Sequence, residues 1–508
     1  MGWTALLGSL VVCTMGLAAC SDDIAAKEAV AEEGNEPGMR QPPGLLPPLR
    51  VRLVPQAGVA GMQRINFAVP LPPGMLQDER RVRVLHAGRE LAAARRALAR
   101  HPDGSMRSIQ IQVEVGVAGE DVLEVHIGQE ASPAQPLRPV AETLRGAQGP
   151  RVWALLPAQW LSWSQVAGPL LPEAEVAGTP LDAWSRVCDY ARYNTDAFLR
   201  QSGDAAAWLF DRPTAFYRGY ARRGDLLTLE SAYREASLYR ERLMGQGDGL
   251  RIGVPGRADD LKYHYTQGMA LHYLLTGDDR FREAAEAVAA RAAVVWPDPS
   301  YDGGTRFWTE RHAGFALLAF VWAMIVSDDR AAVFRALADR VVSAVIAVQE
   351  TYPRGYTDRE ARCFAHSAQA HGESFGYFGC SPWMSAILAD GLDAYARERG
   401  GAEAGRARTA LVKLARILAR DGRDARGKPY YWMGVGNGRN EIDPYDEHWG
   451  EAAYVVALGY YHQGRTDSTL RRGAEALVSG LRTFGVAPHL RSFNWQCRSA
   501  VATPFFLR

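Results

Sequence analysis

The stretch Tyr263-His264-Tyr265-Thr266-Gln267-Gly268-Met269-Ala270-Leu271-His272-Tyr273-Leu274-Leu275-Thr276-Gly277-Asp278 decides how the second half of this chain is read. It opens on polar, chemically capable side chains, continues as an apolar run and stops at a Gly-Asp turn. Followed by a segment charged on one face, Phe281 to Val295, it reads as a helical hairpin with an inner and an outer member. The unit recurs. Glu310-Arg311-His312 opens the run Phe315 to Val326, which stops at Ser327-Asp328-Asp329. Turns at Arg223-Gly224-Asp225, Arg399-Gly400-Gly401 and Gln463-Gly464-Arg465 close three more apolar segments, so inner helices are expected over 213–222, 263–275, 310–326, 382–397 and 447–462. Repetition every ~50–70 residues signals stacked αα-hairpins. With a partner helix across Leu181 to Gln201, five or six hairpins are expected to form an incomplete (α/α) toroid over residues 181–508, the expected catalytic domain. Its inner helices start at one end, where a cleft would form.

Upstream the periodicity changes to two. From Arg50 to about Gln129 apolar residues alternate, first at Val51 and Leu53, then at Ile65, Phe67 and Val69, and most clearly at Ile109, Ile111, Val113 and Val115. Such alternation between Pro and Gly punctuation means strands, so residues 49–130 are expected to form a β-barrel or sandwich. The segments Phe67-Ala68-Val69-Pro70-Leu71-Pro72-Pro73-Gly74 and Arg100-His101-Pro102-Asp103-Gly104-Ser105-Met106-Arg107 resemble the N-terminal RIFT-related barrel of exo-rhamnogalacturonan lyase-like proteins. The resemblance covers roughly 80 residues. It implies a barrel placed before a helical toroid, and Ser108 stands where those proteins often carry an aromatic residue. The barrel is expected to pack on the toroid and to shape one wall of its cleft. Residues 131–180 form a connector, whose Trp153, Trp160 and Trp163 are expected to pack an interdomain seam.

The first twenty residues read as an export signal. An apolar stretch from Trp3 to Ala19 ends in Leu17-Ala18-Ala19-Cys20, which resembles a bacterial lipoprotein signal with Cys20 as the lipidated residue. Residues 21–48 are acidic, then rich in Pro and Gly, and read as a disordered linker. The expectation is an exported body held on a lipid anchor in a bacterial membrane, the outer membrane being favoured by Ser21 after the cysteine. Among 508 residues, 47% are hydrophobic and 23% charged, enough for large cores, and the net charge of +1 offers no field for nucleic acid. Export implies an oxidising compartment, so the four remaining cysteines, Cys188, Cys363, Cys380 and Cys497, allow three disulfide pairings. Cys363 with Cys380 is the favoured pair, because it would pinch the His-rich loop between them.

Candidate chemistry gathers at the helix starts. His264, Tyr265, His312 and His371 are the candidate acid-base residues, since His and Tyr can both move protons. Tyr263 and Gln267 would share a helical face. Arg311 suits a carboxylate, and Trp308, Trp383 and Trp449 could stack on sugar rings. Glu310, Glu373, Glu447 and His448 complete the expected substrate wall. This inventory points to a partner that is an acidic polysaccharide or oligosaccharide and to a polysaccharide lyase acting by β-elimination. A glycoside hydrolase with a carboxylate pair, or a glycan-binding lipoprotein without turnover, are the alternatives. No cofactor is expected, a divalent cation bridging the carboxylate stays open, and no strong metal motif is present.

Overall fold

Period-two segments place one set of side chains on one face, and burial of that set makes the sheets. The computed structural model describes residues 47–131, 135–257, 259–299, 309–351, 357–364, 366–367, 378–435, 439–484 and 489–508. The strands are β1 (Leu49–Pro55), β2 (Gly61–Pro70), β3 (Val82–His86), β4 (Arg89–Glu90), β5 (Ala93–Arg100), β6 (Met106–Val117), β7 (Asp121–Ile127) and β8 (Val152–Leu155). They form two antiparallel sheets, ordered β4-β3-β7-β1-β8 and β2-β6-β5. Val51 and Leu53 of β1, Val82 and Val84 of β3 and Leu123 and Val125 of β7 join Ile65, Phe67, Ile109 and Ile111 of the other sheet in the hydrophobic core. Strand β8 comes from the connector, pairing Arg52 with Leu155 and Val54 with Trp153. Four residues beside prolines are too few for alternation to reveal it.

The described residues belong to one compact unit. The expected signal, Cys20 and the linker through Leu46 lie outside the described residues, as do Trp308, His371 and Glu373. Among the described residues, no helix is long and apolar enough to cross a membrane.

The longer helices are α1 (Arg212–Arg223), α2 (Leu226–Arg240), α3 (Gln267–Thr276), α4 (Asp279–Val295), α5 (Glu310–Val326), α6 (Ala331–Thr351), α7 (Ser385–Arg399), α8 (Gly401–Asp421), α9 (Trp449–His462), α10 (Ser468–Thr483) and α11 (Leu490–Arg498). Odd-numbered helices are buried along most of their length, and the even-numbered ones bury a single face. Each odd helix packs on the next odd one, from α1 through α3, α5, α7 and α9 to α11, which returns to α1. The even helices α2, α4, α6, α8 and α10 pack outside their odd neighbours. The Gly-Asp turns divide their labour. Gly224 and Gly277 end α1 and α3 in the left-handed conformation, and Asp225 and Asp278 accept hydrogen bonds from the first amides of α2 and α4. Gly277 is required twice over, since a Cβ there would collide with Gln110 of β6.

Three helices start later than the apolar pattern predicts, at Gln267, Ser385 and Trp449 rather than at 263, 382 and 447. Residues Leu261–Tyr263 form a 3-10 turn capped by Asp260, and His264 is extended. The backbone here finds tertiary partners instead of helical ones. The Tyr239 hydroxyl donates to the Tyr263 carbonyl at 2.7 Å and accepts from the Tyr265 amide at 2.8 Å. Tyr263 and Gln267 therefore do not share a helical face.

The sheet β2-β6-β5 rests on the C-terminal ends of the inner helices. Ser108 donates to the Leu274 carbonyl at 2.6 Å, Asn66 to the Thr276 carbonyl at 2.7 Å and Arg96 to the Gly277 carbonyl at 2.7 Å. Arg107 pairs with Glu398 near the end of α7 at 2.6 Å. These polar side chains satisfy carbonyls that a helix end leaves unpaired, which accounts for the fully buried Ser108. The expected role of the β region as a cleft wall at the helix starts is thus corrected: these contacts lie at the other end. The connector tryptophans do pack a seam, Trp160 donating to the Pro70 carbonyl at 2.8 Å and Trp153 meeting Tyr233 edge-on at 5.5 Å. Two disulfides form, the expected Cys363–Cys380 and Cys188–Cys497, which ties residues 309 apart.

Candidate functional site

The starts of the inner helices meet in one aromatic basin. Phe210 precedes α1, Tyr265 precedes α3, Phe315 lies in the second turn of α5, Trp383 precedes α7, His448 caps α9, and Trp495 comes from α11. Phe210 lies edge-on to Trp495 at 4.8 Å, Trp383 stacks on Trp495 at 5.1 Å, and Tyr265 meets Phe315 at 5.2 Å. His448 is nearly parallel to Trp383, 4.6 Å away with 7° between the planes, and lies 4.7 Å from Trp495. Backbone strain is concentrated beside these rings. Phe210 and Asp211 both hold positive φ, 71° and 49°, in a region that side chains with a Cβ avoid. The Phe210 amide donates to the Tyr265 hydroxyl at 2.8 Å, and the Asp211 carboxylate caps α1 through Thr214 while also accepting from the Gly268 amide at 3.3 Å.

Arg311 stands over this basin. It is 6% exposed, with its guanidinium carbon 5.5 Å from the centre of the Trp383 ring and 5.9 Å from that of Phe210. No carboxylate of the described residues forms an ion pair with it, and its Nε is buried without a hydrogen-bond partner. Burial lowers its pKa, and the charge of Asp260 is the largest influence against that. A buried, unpaired cation is costly unless something not yet bound completes it.

His448 is the second open group. It is 1% exposed, and neither ring nitrogen has a hydrogen-bond partner among the described residues. Burial, aided by the positive charges of Arg491 and Lys428, holds its pKa well below the usual histidine value. The ring is therefore neutral near pH 7, with one nitrogen able to accept a proton.

The other candidates are more committed. His264 contacts Asp259 at 3.1 Å, and burial lowers its pKa. His312 lies between the Thr309 hydroxyl at 2.7 Å and Asp260 at 3.3 Å, its pKa lowered to about 4 chiefly by burial. The Tyr265 hydroxyl donates to the Trp208 carbonyl at 2.8 Å and accepts from Phe210. Gln267 accepts from Arg498 at 2.9 Å, within a buried network in which Arg498 and Arg218 both bind Asp390. Glu310 accepts from the Ser381 amide at 2.9 Å and so fixes the approach to α7. Glu447 pairs with Arg491 at 3.1 Å and accepts from the Ser492 hydroxyl. Trp449 is packed against Phe484 and Gly480 of the α10 region and does not join the basin rings. Tyr263 is buried beside Lys262, whose ammonium lies 5.7 Å from its ring and pairs with Asp260 at 2.9 Å.

Phe210, Asp260 and Trp495 enter the site without having been read from the sequence. Only Trp495 carried a signal, an aromatic residue inside the polar cluster Asn494-Trp495-Gln496-Cys497-Arg498 near the C-terminus. Among the described residues no group of three or more His, Cys, Asp or Glu is arranged to hold a metal ion.

No known family profile matches the chain, and no curated protein matches it. Among solved structures it aligns with cellobiose 2-epimerase from Bacillus thermoamylovorans B4167, at a TM-score of 0.37 and 13% identity, over 54% of this chain and 74% of that one. A likeness that remote carries no argument about activity, which rests on the site itself.

Proposed function

We propose that this protein is a carbohydrate-active enzyme whose inner helices form an (α/α) toroid, and that it cleaves a uronate-containing glycan by β-elimination. The observation that carries the reading is Arg311, a buried cation over two aromatic rings that no carboxylate of the described residues pairs with. A uronate supplies the missing anion. Neutralising the carboxylate acidifies the adjacent C–H. His448, neutral and against Trp383, is the base that takes this proton. The electron pair forms the new double bond, the glycosidic C–O bond breaks, and the departing oxygen takes a proton from Tyr263. His264, His312 and Tyr265 position the surrounding backbone. On this reading the β region is a barrel like that of exo-rhamnogalacturonan lyase-like proteins, and a lipid anchor at Cys20 places the enzyme on the outer membrane.

A hydrolase pair finds less support, because Glu310 and Glu447 are each tied to neighbouring groups. The test is digestion of a panel of uronate glycans, followed by absorbance of the unsaturated product. Activity lost in Arg311→Ala and His448→Ala supports the reading. Reducing ends without unsaturated product would point to hydrolysis, and binding without either product to a glycan-binding role.

A further inference from the structure

Tyr445 is 51% exposed, although the turn that carries it is anchored at nearly every residue. Asp443 is fully buried and accepts from the amides of Tyr445, at 3.0 Å, and Glu447, at 3.3 Å. Asp446 holds a left-handed φ of 57° and pairs with Lys428 at 2.8 Å, and Glu447 is held by Arg491 and Ser492. A strained backbone persists only where its surroundings over-determine it. Here they hold an aromatic ring out toward solvent.

That ring continues the basin. Tyr431 lies 5.6 Å from Trp383 and 5.9 Å from His448, and Tyr445 lies 6.1 Å from Tyr431. Arg491 bridges the two levels, its guanidinium carbon 5.1 Å from the Tyr445 ring and 5.5 Å from that of Trp495. Its ion pair with Glu447 uses one terminal nitrogen, and its Nε is buried without a partner among the described residues. Aromatic faces therefore descend from an exposed rim to the buried rings below Arg311, in steps about the size of a sugar ring, with a guanidinium beside them at each level.

We infer that Tyr445 and Arg491 form an outer sugar subsite, so that the ligand is an oligosaccharide of at least two units, the inner one held at Arg311 and the outer one stacked on Tyr445. The inference rests on the carbohydrate reading above but not on the acidity of the substrate. Tyr445 sets preference for chain length.

The test is calorimetric binding of mono-, di- and trigalacturonate, and of neutral galactose oligomers of the same lengths, to the full chain and to Tyr445→Ala and Tyr445→Phe. Stacking of this kind is worth about threefold to tenfold in affinity. Wild type should gain that factor from one unit to two, Tyr445→Ala should lose the gain, and Tyr445→Phe should keep it. Equal weakening of monomer and dimer by Tyr445→Ala, or a wild type indifferent to length, overturns the subsite. A length gain seen only with neutral oligomers and lost in Tyr445→Ala keeps the subsite and removes the uronate reading. Binding of no oligomer in either series overturns both.

Discussion

At the scale of single residues, Arg311 combines poor stability with fitness for a ligand. A guanidinium taken from water without a carboxylate keeps its desolvation penalty and lacks the attraction that would offset it. Arg311→Met fills a similar volume without the charge. It should stabilise the fold by ~1–3 kcal/mol while weakening uronate binding about 100-fold. Urea unfolding alongside calorimetry checks both, and a variant that is less stable yet binds normally contradicts the assignment. The residue types at this site were legible in the chain, since Arg311, Trp383 and His448 all stand at helix starts. Their division of roles was not. His312 and His448 look alike in sequence, and only the placement of Thr309 and Asp260 around the first, and of stacked rings around the second, separates a held imidazole from an open one.

At the scale of elements, the crossing of α5 and α7 fixes where Arg311 and Trp383 stand relative to each other. Gly314 of α5 faces the backbone of α7, and a Cβ there would come within 2.6 Å of the Leu388 nitrogen and 2.7 Å of the Ile387 carbonyl carbon. Alanine in a helix interior is favoured over glycine by ~1 kcal/mol. Backbone cannot move aside as a side-chain tip can, so the clash wins. Gly314→Ala should destabilise the protein by ~1–3 kcal/mol and reduce uronate affinity by shifting α5 against α7. A stabilised variant in urea unfolding would disprove the close approach. Apolar runs and Gly-Asp turns made the helices legible, but their first turns were misplaced. Periodicity sees apolar residues and is blind to a partner such as the Tyr239 hydroxyl, which takes the hydrogen bonds that helix continuation would have made.

At the scale of the whole molecule, burial of titratable groups contributes to the response to acid. His101, His264, His272, His312 and His448 all have pKa values lowered chiefly by burial, so they oppose folding as pH falls below the unfolded value. Asp211, Glu235, Asp443 and Glu451, raised chiefly by burial, act in the opposite sense. His272 isolates one contribution, because it is fully buried, stacks on Phe281 at 3.5 Å, and has a pKa lowered to about 3. Below pH ~6.5 the unfolded chain binds a proton at this position that the folded chain refuses, so stability falls with pH by up to ~1.4 kcal/mol per unit. In His272→Phe that part of the slope should vanish between pH 6 and 4, as read from urea midpoints relative to wild type. An unchanged slope would mean that the folded state protonates His272.

The sequence by itself determined the change from period two to helical period, the sites of the hairpin turns and the residue types at the helix starts. These depend on neighbours along the chain, through side-chain periodicity and local backbone conformation. Tertiary structure alone decided that the sheet β2-β6-β5 seats on the helix ends away from the site, that α11 brings Trp495 and Arg491 to it, and that Arg311 and His448 are left open among the described residues. Those outcomes depend on desolvation and on hydrogen-bond partners distant in sequence, such as Asn66 with Thr276, which no local pattern encodes.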